Sequence, residues 1–266
     1  MSDLTKEHDA YIRKVPGLLT PSNCSLIMID FQPQMAFAVK SIDGQTLINN
    51  AVGLAKSAKI FGVPTILTTV AEREFSGPMF SQLSRIFPGQ QPIDRTTMNC
   101  WEDRRVVEAF KKTGRNKLVL AGLWTEVCIV LPAIQTLEEG YEIYVIADAC
   151  GGTAITAHDT AILRLIQAGA VPMTWLQFLL ELQRDWARSE TYDAVNQIVR
   201  DDAGTYGLGV EYARAMLGEH AREGNIEGKI KSEQVEEEGE VIESEGEEDF
   251  VMEGRGEGRK SNAEFE

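Results

Sequence analysis

Four glycines punctuate this chain at the same point in a repeated pattern. Gly62, Gly114, Gly140 and Gly169 each follow a segment with apolar residues at helical spacing: 47–61, 102–113, 126–139 and 155–168. Each also precedes a run with strand character, and glycine is the residue that most readily takes the left-handed turn closing a helix. The strand runs are 25–30 (SLIMID), 64–70 (PTILTTV), 117–122 (KLVLAG) and 141–148 (YEIYVIAD), with 91–96 (QPIDRT) and 170–175 (AVPMTW) as weaker members. The purest are nearly continuous apolar runs, as expected of parallel strands covered on both faces. Four repeats of helix, glycine and strand predict an α/β fold with a parallel sheet between two layers of helices.

Beyond residue 175 the pattern turns helical, over 176–188, 192–200 and 206–221. From about residue 223 the chain is rich in Glu and Gly. Residues 223–266 hold 16 of the 41 acids but 5 of the 26 basic residues, and so −11 of the net −15. Such a segment buries too little apolar surface to offset its ordering entropy and is read as a solvated, disordered acidic tail. The remainder is only mildly acidic. No basic patch for phosphate contact is present, so no nucleic-acid partner is expected. The start, MSDLTKEHDAYIRK, has neither a signal-peptide core nor an Arg-rich transit pattern, and no apolar run approaches the roughly 20 residues that span a bilayer. The four cysteines form no CxxC pair, which fits a reducing compartment, so a cytoplasmic protein with no membrane partner is expected.

In sheets of this type, ligands bind at the carboxyl ends of the strands. Asp30 ends the first strand (IMIDFQPQM), Arg95 ends or follows the third (PIDRTTMNCW), and Cys128 follows the fourth (AGLWTEVC). A carboxylate, a fixed cation and a thiol would share one crevice. With Thr125 as helix N-cap, Cys128 falls in the first turn, where free amides and the helix dipole lower a thiol pKa from its usual ~8.5. Asp30 could exchange the proton, and the same amides could hold an oxyanion. The plainer reading is also open: cysteine is among the most buried residue types, and a strand-terminal Asp often serves a turn. Cys24, Cys100 and Cys150 are read as small apolar fillers, with a place near the pocket rim open for Cys100 and Cys150, and Trp175 and Trp186 as core. No G-x-G-x-x-G follows a strand, which makes a classical dinucleotide site a poor reading.

The IMIDFQPQM segment, the PTILTT strand, the R-x-x-M-N-x-W segment and GLWTEVCIVLPAIQTLEEGYEIYVIADACG resemble the isochorismatase-like cysteine hydrolases, closest to the YcaC-type branch. The resemblance covers roughly residues 19–186. It implies a three-layer α/β/α sandwich around a six-stranded parallel sheet in the order 321456. It also implies a triad of Asp, Lys and Cys, carried here by Asp30, Arg95 and Cys128. A non-proline cis peptide at Leu123–Trp124 would aim the Trp124 and Cys128 amides at an oxyanion. Phe31, Met98, Asn99 and Trp101 are candidates for substrate binding. Arg95 departs from the usual Lys and cannot shuttle a proton. Metal-binding relatives use Asp with two His; here His8, His158 and His220 are widely spaced, so no metal and no cofactor are expected.

The resulting organisation is an N-terminal extension (1–18), a hydrolase domain (19–188), C-terminal helices packing on the domain or a partner subunit (189–222), and the tail (223–266). The resemblance implies a metal-independent cysteine hydrolase that cleaves a C–N bond of a small amide, imide or carbamoyl substrate through a thioester. Hydrolysis of the isochorismate vinyl ether, or a non-catalytic scaffold, are the alternatives. Relatives commonly form tetramers or octamers, so a homo-oligomer is expected.

Overall fold

A computed structural model describes residues 17–218. One compact unit ends at Met216, and a second, Leu217–Glu266, contributes only its first two residues to that set. Residues 1–16 of the expected N-terminal extension, the last residues of the C-terminal helices, His8, His220 and the acidic tail all lie outside the described residues.

Six parallel strands form one sheet: β1 (Cys24–Ile29), β2 (Thr65–Val70), β3 (Ile93–Arg95), β4 (Lys117–Leu123), β5 (Glu142–Gly151) and β6 (Val171–Met173). They lie in the order β3-β2-β1-β4-β5-β6, the order the resemblance implies. The unbroken apolar runs occupy the centre. Every residue of β1 and β4 is buried, because helices cover both faces and no strand side can stay polar. Lys117 opens β4 at the sheet's lower rim, and its ammonium donates to the Gly17 and Leu18 carbonyls at 2.6 and 2.9 Å.

The helices are α1 (Pro33–Phe37), α2 (Gly44–Ile60), α3 (Ser81–Ile86), α4 (Arg104–Lys112), α5 (Val130–Glu138), α6 (Ile155–Ala168), α7 (Trp175–Gln183), α8 (Ser189–Asp202) and α9 (Thr205–Leu217). Two groups form the outer layers: α2 packs with α3, α7 and α8, while α5 packs with α6. Asp43 caps α2 by accepting from the Thr46 amide at 3.0 Å, and Asp103 caps α4. The four punctuating glycines all have positive φ and close their helices as the sequence indicates.

Several boundaries move. The helix expected over 176–188 stops at Gln183, where Arg184 turns left-handed at φ 59°. Trp186, expected in the core, therefore lies past the helix end and is 46% exposed, with its ring edge-on to Tyr192. Trp175 is buried as expected and lies over Gly53 of α2, where a Cβ would come within 2.7 Å of the ring. The short helices α1 and α3 escape periodicity because each is under two turns long.

One close approach sets the position of the strand tips. Gly122, at φ +149°, faces Ile29 across the β1–β4 pair, beside an irregularity in the β4–β5 register. A Cβ there would lie 1.9 Å from the Ile29 carbonyl oxygen. We expect Gly122→Ala to destabilise the fold by about 2–5 kcal/mol through backbone strain and overpacking, read as a lower urea midpoint at unchanged m-value.

Candidate active site

Three strand tips converge above that contact. Asp30 directly follows β1 in a left-handed conformation (φ 56°) and has no exposed surface. Arg95 ends β3 and reaches past the tip of β2, so that Nη2 donates to both Asp30 carboxylate oxygens, at 2.9 and 2.8 Å. Both side chains are fully buried. The other terminal nitrogen of Arg95 donates to the Thr97 carbonyl, while Nε has no partner among the described residues. Burying this pair requires multiple contacts of good geometry, since a lone charge here would carry its full desolvation cost.

Cys128 lies in a π-helical turn, Thr125–Ile129, between β4 and α5. Its thiol lies close enough to Asp30 for the two groups to shift each other's protonation, and the Trp124 amide acts on the same sulfur. The Leu123–Trp124 peptide is cis. Trp124 is further fixed by its indole N–H, which donates to the Met35 carbonyl at 2.8 Å. Thr125, expected as N-cap, is instead the first residue of the turn, and its hydroxyl pairs with His158 Nδ1 at 2.8 Å.

The electrostatics correct one expectation. Burial pushes the Asp30 carboxyl up to about 6, with the Arg95 charge and hydrogen bonds opposing. Burial also raises the Cys128 thiol above its ordinary range, and the Asp30 charge raises it further; Arg95 works in the other direction. A preformed thiolate does not result, because the cation is already engaged by Asp30 and water is excluded from the sulfur. The resting state at neutral pH is a carboxylate, a guanidinium and a protonated thiol.

The other candidates separate. Phe31 is buried against Phe80, ring centroids 6.0 Å apart. Met98 is exposed. Asn99 is buried, donating to Gln135 and accepting from the Trp101 amide. The Trp101 ring packs edge-on against Phe110 and Tyr141 while its N–H donates to Glu139. Cys24, Cys100 and Cys150 are buried, and burial pushes their thiols up to about 12. Among the described residues no group of three or more His, Cys, Asp or Glu is placed to hold a metal ion.

Sequence reasoning passed over Gln32. Wholly buried, it donates to the Val70 and Gly77 carbonyls at 3.2 and 2.6 Å and accepts from the Val70 amide at 2.9 Å. It thereby fastens the segment after β1 to the tip of β2. The available signal was an uncapped amide immediately before Pro33, which starts a helix.

The isochorismatase domain family matches residues 24–177, more than half of the chain. The Escherichia coli (strain K12) protein named probable hydrolase YcaC is 39% identical over 169 residues, which cover 63% of this chain and 81% of that protein. A structure of YcaC from Pseudomonas aeruginosa, with hexane-2,5-diol and covalent acrylamide, is 30% identical with a TM-score of 0.71, covering 76% of this chain and 98% of that one. The Escherichia coli YcaC structure, described as an octameric hydrolase of unknown specificity, is 33% identical with a TM-score of 0.71, covering 75% and 98%. By fold, family match and relatives together, this chain belongs to the isochorismatase family, as a YcaC-like hydrolase.

Proposed function

We propose that this chain is a metal-independent cysteine hydrolase that cleaves the C–N bond of a small amide, imide or carbamoyl compound through a thioester acyl-enzyme. The observation that carries this reading is the placement of the Cys128 thiol beside a buried carboxylate held by Arg95. Asp30 takes the thiol proton as sulfur bonds to the carbonyl carbon, so no thiolate is needed beforehand. The electron pair displaced onto oxygen falls to the Trp124 and Cys128 amides, at a helix start where backbone N–H groups lack intrahelical partners. Collapse breaks the C–N bond, and Asp30 returns the proton to the departing nitrogen. Water then gives a proton to Asp30 and attacks the thioester; the C–S bond breaks, the acid leaves and the thiol is restored.

Arg95 stays protonated throughout and keeps Asp30 ionisable despite its burial. Phe31, Met98, Asn99 and Trp101 are the substrate-side candidates. The covalent acrylamide on the Pseudomonas aeruginosa relative supports a reactive nucleophile in this branch, since acrylamide alkylates thiols by conjugate addition. The octameric Escherichia coli relative supports a homo-oligomer. Among the described residues no helix is long and apolar enough to cross a membrane; the cytoplasm remains the proposed location.

On a substrate identified from a small-amide library, Cys128→Ala and Asp30→Asn should each lower kcat/KM by roughly a thousandfold or more. Unchanged turnover in both would remove the mechanism, and pyruvate released from isochorismate by either variant would favour vinyl-ether hydrolysis instead. Because Asp30 must be ionised to accept the proton and titrates at about 6, wild-type kcat/KM should fall about tenfold per pH unit below that value and level off above it. Arg95→Met removes the two effects that most lower the Asp30 pKa, so this acid limb should move to higher pH; Arg95→Lys keeps the charge and should move it less. The same Arg95→Met change leaves Asp30 buried and unpaired, and thermal denaturation should report a loss of about 3–5 kcal/mol.

A further inference from the structure

The nucleophile turn carries no side-chain cap of its own. The two residues that open it are tied instead to one distant segment, the start of α6 and the loop before it. Thr125 is fully buried, and its hydroxyl meets His158 Nδ1 at 2.8 Å. Glu126 Oε1 accepts from the Thr153 amide at 3.0 Å and from the Thr153 hydroxyl at 2.6 Å. Between these contacts sits Gly152, where a Cβ would lie 2.9 Å from Glu126 Oε2 and 3.0 Å from the His158 Cβ. The loop is itself anchored, since the Gly152 carbonyl accepts from the Lys40 amide at 2.9 Å and its amide donates to the Ser41 hydroxyl at 2.9 Å.

We propose that His158 is a positioning residue for Cys128, acting through the Thr125 hydroxyl, with the Glu126–Thr153 contacts as the second point of a two-point clamp on the nucleophile turn. This rests on the reading of Cys128 as nucleophile. The physical reason is the form of the turn. A π-helical turn has wider, poorer hydrogen-bond geometry than an α-helix and persists where its surroundings hold it. The sulfur must keep its place between Asp30 and the Trp124 amide, and a displacement near 1 Å at a reacting atom costs about a hundredfold in rate. Burial holds the His158 imidazole below its ordinary pKa range, with Asp159 and Glu126 acting in the opposite direction. The neutral ring keeps the bond in either tautomer: Nδ1 accepts from the hydroxyl or donates to it. Neither His158 nor Thr125 touches the substrate carbonyl in this scheme; both act on where the sulfur sits.

The test is the alkylation rate of Cys128 by iodoacetamide, followed by mass spectrometry of the peptide that contains it, in the full-length chain. Thr125→Val and His158→Phe should each slow alkylation about tenfold, and the double variant should be no slower than either alone, since both remove one contact. Thr125→Ser keeps the hydroxyl and should remain within about twofold of wild type. Additive losses, an equal loss in Thr125→Ser, or rates unchanged in all three would overturn the inference. Circular dichroism melts accompany each variant, and the Thr125→Ser rescue separates a lost contact from general unfolding. If Cys128→Ala abolishes turnover while His158→Phe alters neither alkylation nor kcat, the clamp fails and the nucleophile stands. If Cys128→Ala retains turnover, the nucleophile reading itself fails.

Discussion

The buried ion pair between Asp30 and Arg95 is the constraint around which the site is organised. It joins the tips of β1 and β3 across the intervening β2, and it places a charged oxygen beside the sulfur that follows β4. An unpaired carboxylate at this depth would hold a proton well above neutrality, and an unpaired guanidinium would not remain buried. Together they keep two opposite charges paired at the strand tips, away from water. The price is stability, since a pair of this kind commonly contributes less than apolar packing of the same volume.

The architecture was legible because it depends on many residues at once. Apolar runs such as LIMI and KLVLAG leave no polar side for water, and the glycine after each helix sets the repeat length. Strand order was available only through the family resemblance, since periodicity is silent on which strands are neighbours. Asp30, Arg95 and Cys128 were legible as strand-end residues for the same topological reason.

What escaped depends on single contacts. Thr125 has the chemistry of an N-cap, but its hydroxyl is claimed by a histidine 33 positions away. Trp186 has the look of a core residue, but the helix before it ends at Gln183 and its ring lies half exposed against Tyr192. Cys128 sits at a helix start, where local dipoles favour a thiolate, but burial and the adjacent carboxylate outweigh them. For Thr125 and Cys128 a local propensity is overruled by a partner remote in sequence.

The contact between Gly122 and the Ile29 carbonyl has a consequence for how such a protein can diversify. It is main chain against main chain, so the gap between the first and fourth strands is fixed by covalent geometry and not by the bulk of any side chain. A change in the size of an interior side chain therefore does not by itself reset the spacing of these two strands. The tips that carry Asp30 and lead to Cys128 inherit their separation from the backbone beneath them.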